Sequence, residues 1–150
     1  MNPEGSGLVG LKKIMKTLKI LLIEDDMIEV MKLNRVISSL NLSHKIIEAN
    51  NGEEAIEALE NKENLPDLIL LDLNMPKISG IEFLNILKND ARLKYIPTVV
   101  LTTSINNKDL VACFEIGIAG YILKPLKYED YILKIEKVLA YWSINELIRA

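Results

Sequence analysis

Asp72 closes the apolar run Leu68-Ile69-Leu70-Leu71, and three other apolar runs of this chain end on polar residues in the same way. Lys19 to Ile23 runs into Glu24-Asp25-Asp26, Thr98 to Leu101 into Thr102-Thr103-Ser104, and Gly120 to Leu123 into Lys124-Pro125. If the runs are neighbouring parallel strands, all four endings open on one edge of a sheet and the groups converge. Carboxylates gathered in a partly desolvated crevice repel one another, which raises the pKa of at least one unless a cation is present. A hard divalent ion resolves that conflict, and Mg²⁺ takes a few carboxylates together with waters and phosphate oxygens. A carboxylate so placed can act as nucleophile toward a phosphoryl group. Such transfer needs positioning and charge neutralisation more than covalent help. Lys124 and the metal would supply positive charge, and Thr102 a hydroxyl for a phosphoryl oxygen.

The elements between these endings support that convergence. Val30, Leu33, Val36, Ile37 and Leu40 recur at helical spacing after Asp26, which reads as the cap of that helix. Lys45 to Ala49 reads as a second strand, followed by the turn Asn50-Asn51-Gly52 and a helix over Glu53 to Glu60. Helices are also expected over Ile81 to Lys88, about Lys108 to Ile116, and about Lys127 to Ile148. The strands are near-continuous apolar runs with little alternation, as expected where helices cover both faces of a parallel sheet. Five strand–helix units in strict alternation imply a doubly wound α/β sandwich, whose ligands sit at the carboxyl ends of the strands.

Taken in this order, Glu24-Asp25, Asp72, Thr102 and Lys124-Pro125 resemble the signature of the response regulator receiver family. The loop Asp72-Leu73-Asn74-Met75-Pro76 with Gly80 downstream is similar to that family's phosphorylation loop, and the likeness spans about Leu18 to Val138. The resemblance implies a flavodoxin-like three-layer sandwich with a five-stranded parallel sheet in the order 2-1-3-4-5. It implies that Asp72 is the phosphoacceptor and Asp25 a direct Mg²⁺ ligand. Glu24 would act on the ion through water, and Asn74 would offer its backbone carbonyl. Lys124 would bind the phosphoryl group across a cis Lys124–Pro125 bond, and Thr102 and Tyr121 would form the switching pair. Asn74 and Ser104 hold the places that tune dephosphorylation in the family; neither is bulky or charged. The implied partners are a sensor histidine kinase or phosphotransfer protein and a downstream protein target. The pair Tyr141-Trp142 and the run Leu101-Thr102-Thr103-Ser104 are similar to those of phytochrome-associated regulators, some of which form homodimers.

Plainer roles compete at several positions. Glu24-Asp25-Asp26 could be an acid run favoured by a helix dipole, Thr103 competes with Thr102, and Tyr121 could simply pack. Two other functions compete as well: a docking module indifferent to phosphorylation, and a Mg²⁺-dependent hydrolase with Asp72 as transient nucleophile. The second is disfavoured by Asn74, which stands where such enzymes place a general acid. The 150 residues, 49% hydrophobic and 26% charged, fit one globular domain. Residues 17–150 read as that domain, with a long last helix, and residues 1–16 as a flexible leader with a short helix over Leu8 to Met15. A net charge of −3 argues against a dedicated nucleic-acid binder. No apolar run approaches the ~18 residues of a membrane span. One cysteine, Cys113, suits a reducing cytoplasm. His44, the only histidine, is expected at the surface.

Overall fold

A computed structural model describes residues 14–148, so all but the end of the expected leader helix lies outside the described residues. Five parallel strands form one sheet in the order β2-β1-β3-β4-β5. They are β1 (Lys19–Ile23), β2 (Lys45–Ala49), β3 (Leu68–Leu71), β4 (Thr98–Thr102) and β5 (Gly120–Leu123). Between and after them run α1 (Met27–Ser39), α2 (Gly52–Glu60), α3 (Gly80–Asn89), α4 (Asn107–Ile116) and α5 (Tyr128–Ser143). A 3-10 turn at Leu93–Tyr95 leads into β4.

Strand pleat sorts the core into two layers. Leu21, Ile23, Ile69, Leu71 and Val100 face α2, α3 and α4, where they meet Ala55, Leu59, Phe83, Leu84 and Cys113. Ile20, Leu22, Leu68, Leu70, Val99 and Leu101 face α1 and α5, where they meet Val30, Leu33, Tyr131, Ile135 and Leu139. Because both faces are covered, β1, β3 and β4 need apolar residues at successive positions rather than alternate ones. The edge strands depart from that pattern. Glu48 of β2 is exposed, and β5 is only partly buried, since each edge strand has a sheet neighbour on one side only.

Local signals place the helix starts. Asp26 caps α1 by accepting from the Ile28 N–H at 2.9 Å, as its position before the apolar periodicity predicts. Asn51 caps α2 through the Glu54 N–H, and the Glu54 carboxylate accepts in return from the Asn50 N–H at 2.8 Å. Gly117 ends α4 at φ 115°, a left-handed conformation that suits glycine. The last helix is shorter than its apolar face suggests, stopping at Ser143 instead of Ile148. The Ser143 carbonyl, which would serve the next helical turn, accepts instead from the Lys16 N–H at 2.7 Å. Lys16 Nζ also reaches the Asn145 carbonyl at 2.8 Å, so the segment entering β1 and the segment leaving α5 are tied together.

Candidate functional site

Parallel strand direction brings the four polar endings to one edge, as their spacing predicts. Glu24, Asp25 and Asp72 each offer a carboxylate oxygen, and these oxygens lie within 4.8 Å of one another. Glu24 and Asp72 are buried, at 3% and 8% exposure, whereas Asp25 is open to solvent. Backbone pairing holds the set in place. The Asp72 N–H donates to the Ile23 carbonyl at 3.1 Å, and the Glu24 N–H to the Ala49 carbonyl at 2.9 Å, which lock the ends of β3 and β2 onto β1. Just past the strand, the Asn74 N–H donates to Asp72 Oδ1 at 3.3 Å.

Lys124 enters this acid cluster from the end of β5. Its Nζ lies 2.5 Å from Glu24 Oε1 and 3.8 Å from Asp72 Oδ2, with its side chain 8% exposed. Its N–H donates to the Thr102 carbonyl at 2.8 Å, which sets the two strand ends side by side. Burial pushes the Glu24 carboxyl up to about 7, against the pull of the Lys124 hydrogen bond and charge. Burial also disfavours the Lys124 ammonium, but the hydrogen bond to Glu24 and the charges of Asp72, Glu24 and Glu29 outweigh it and raise its pKa. One ammonium against three converging carboxylates leaves negative charge uncompensated. An all-oxygen set of that kind fits a hard divalent cation such as Mg²⁺ or Mn²⁺.

Thr102 is fully buried, and its Oγ1 accepts from the Ser104 N–H at 3.3 Å. Tyr121 stands apart from the acids. Its hydroxyl donates to the Ser104 carbonyl at 3.0 Å, which ties β5 to the loop after β4. Ser104 is committed to the same loop, with Oγ donating to Asp109 Oδ2 of α4 at 2.8 Å. Asn74 is exposed on the loop after β3.

Two expectations need correction, and one further residue joins the site. The Lys124–Pro125 bond is trans, as is every other peptide bond among the described residues. Trans is favoured by about 0.5–1 kcal/mol even before proline, and the β5–α5 connection adopts it. His44 is buried rather than at the surface, because its Nδ1 accepts from the Leu18 N–H at 2.9 Å where the chain enters β1. Glu29 was absent from the expected site, yet its Oε2 lies 3.8 Å from Lys124 Nζ. Its sequence signal is an acid three residues after the cap Asp26, the position of a capping box. Here the carboxylate turns instead to Lys32, at 3.1 Å, and to Lys124.

Known proteins share this fold. Residues 20–136 match the family described as Response regulator receiver domain. The chain is 36% identical over 127 residues to "Probable methanogenesis regulatory protein FilR2" of Methanothrix harundinacea, covering 82% of each. It is 35% identical over 128 residues to response regulator Rcp1 of Synechocystis, covering 82% of this chain and 87% of that one. The Mn²⁺-bound form of Rcp1 superposes with a TM-score of 0.79 at 33% identity, over 89% of this chain and 99% of that one. The phosphorylated cyanobacterial phytochrome response regulator RcpA gives 0.82 at 32% identity, over 87% of this chain and 98% of that one. Among the described residues no helix is long and apolar enough to cross a membrane. With motif order, strand order and relatives in agreement, this chain belongs to the response regulator receiver family, the signalling domains of two-component systems.

Proposed function

We propose that Asp72 accepts a phosphoryl group from a sensor histidine kinase or phosphotransfer protein, and that the domain then signals by a change of conformation. The convergence of Glu24, Asp25 and Asp72 about the Lys124 ammonium carries this reading. An Asp72 carboxylate oxygen forms the new bond to phosphorus as the donor's bond to phosphorus breaks, and the donor leaves with the electron pair. Asp25 and Asp72 would hold Mg²⁺ directly, Glu24 through water, and Asn74 through its backbone carbonyl; the ion would neutralise charge developing on the phosphoryl oxygens. Thr102 offers a hydroxyl, and no described residue accepts its proton. Lys124 offers an ammonium already 3.8 Å from the acceptor.

Thr102 and Tyr121 form the proposed switch, since Tyr121 is hydrogen-bonded to the loop that follows Thr102. The small, uncharged Asn74 and Ser104 would leave the acyl phosphate open to water. Turnover is limited to the domain's own phosphorylation and dephosphorylation. The readout is a protein target met in the cytoplasm, with no direct DNA contact, and a homodimer is a further expected form. Incubation with acetyl phosphate and Mg²⁺, followed by intact mass measurement, should show the gain of one phosphoryl group, absent from Asp72→Asn. Beryllofluoride binding in Mg²⁺ covers the case of rapid hydrolysis. A mass gain that survives Asp72→Asn, or the failure of both assays, refutes the proposal.

A further inference from the structure

The Lys124 ammonium is shared among three carboxylates, and one of them belongs neither to the metal-competent cluster nor to the phosphoacceptor. Glu29, in the first turn of α1, places Oε2 3.8 Å from Lys124 Nζ, the same separation as Asp72 Oδ2. Lys32 Nζ lies 3.1 Å from its Oε1 and 3.4 Å from the same Oε2, and the Glu29 and Lys32 side chains are 20% and 23% exposed. Lys32 in turn sits 4.4 Å from the ring centroid of Tyr131, an α5 residue 1% exposed. Glu29 is therefore held by a cation that rests on α5, and its Oε2 is shared between that cation and Lys124.

We infer that Glu29 is a positioning residue for Lys124: it holds the ammonium toward α1, in competition with a phosphoryl group on Asp72, and Lys32 sets how strongly it does so. The inference rests on the reading of Lys124 as the phosphoryl-binding cation. A phosphoryl group on Asp72 adds negative charge and acceptor oxygens, and the ammonium can pair with them only by giving up attraction to Glu24 and Glu29. Neutralising Glu29 removes one competitor. Removing Lys32 has the opposite effect, because Glu29 then keeps Lys124 as its one ion-pair partner among the described residues and pulls on it harder. Two substitutions on neighbouring turns of one helix thus act with opposite sign, and the second acts through the first.

The test is calorimetric titration of the full chain with beryllofluoride in saturating Mg²⁺, after thermal unfolding confirms that each variant is folded. Glu29→Gln should bind the analogue roughly three- to tenfold tighter, the range expected for a partly buried charge contact. Lys32→Met should bind it more weakly, and the double variant should match Glu29→Gln alone. Glu29→Asp keeps the charge with a shorter reach and should fall between wild type and Glu29→Gln. Unchanged or weaker binding by Glu29→Gln overturns the inference. A double variant midway between the singles also overturns it, because the two charges would then act independently through their general field. Wild type that fails to bind beryllofluoride removes the phosphoacceptor reading and this inference with it. Wild type that binds alongside an indifferent Glu29→Gln removes this inference alone.

Discussion

Replacing Gly80 by alanine would place a methyl group where the chain just after Asp72 leaves no room. Gly80 opens α3 and donates its N–H to the Leu73 carbonyl at 3.2 Å, so the helix start is drawn against the end of β3. A Cβ there would lie 2.7 Å from Leu73 Cα and 3.0 Å from the Asp72 carbonyl oxygen, where ordinary contact begins at 3.4 Å. The closest approach is therefore 3.4 − 2.7 = 0.7 Å too short, and both atoms are backbone, which cannot turn aside as a side chain would. Overpacking of a tight site costs about 1–3 kcal/mol, and a rigid partner argues for the upper half of that range. Alanine returns up to about 1 kcal/mol of helix propensity. The net loss is roughly 2 kcal/mol, or about 30-fold in the folding equilibrium. With a urea slope of about 2 kcal/mol/M, the unfolding midpoint should fall by about 1 M. The displaced backbone is that of Asp72 and Leu73, so beryllofluoride affinity in saturating Mg²⁺ should fall as well. A Gly80→Ala protein as stable as wild type in urea would refute the reasoning.

Lys124→Met, studied in chelator at about pH 8.5, above the Glu24 value of about 7, should cost about 2 kcal/mol, because the buried Glu24 must then stay ionised without its counter-ion or take up a proton; adding Glu24→Gln should recover at least half of the loss in urea unfolding. Equal stability of the single and double variants would show that the two side chains are not coupled. His44 predicts a pH dependence. Burial lowers its folded pKa below 6.5, so the unfolded chain takes the proton first as pH falls. Its contribution is complete above pH 6.5 and is lost as pH drops through 6.5 toward the lower folded value. Urea midpoints between pH 7.5 and 5 should therefore slope less steeply in His44→Asn than in wild type; identical slopes would rule His44 out.

The strand-end set was legible because burial on both faces leaves few reasons for a charge to follow an apolar run. At Asp72, Glu24 and Lys124 the reason is the site itself, and four endings in order carry far more information than any one. The cap at Asp26 was legible for a similarly local cause, since an acid just before helical periodicity has a backbone N–H within reach. What escaped detection depended on contacts distant in sequence. His44 looks like a solvated residue at the head of an edge strand, and only the arrival of the Leu18 N–H, 26 residues earlier, makes it a buried acceptor. The apolar face of α5 continues toward Ile148, yet the helix ends at Ser143, whose carbonyl accepts from the Lys16 N–H far away in sequence.

Glu29 lies between these cases, and it shows why a site read from strand ends is incomplete. Its local pattern, an acid three residues after the cap, has a sufficient local explanation in helix capping. Nothing nearby in sequence signals that a lysine 95 positions later will stand 3.8 Å away. The same sheet geometry that brings Lys124 to Asp72 passes it over the first turn of α1, so any acid on the inner side of that turn becomes a rival for the ammonium. Parallel topology thus gathers the strand-end groups and also exposes them to the helix that follows β1. On the proposed reading, the strength with which Lys124 meets a phosphoryl group on Asp72 would be set by that helix as well as by the strands.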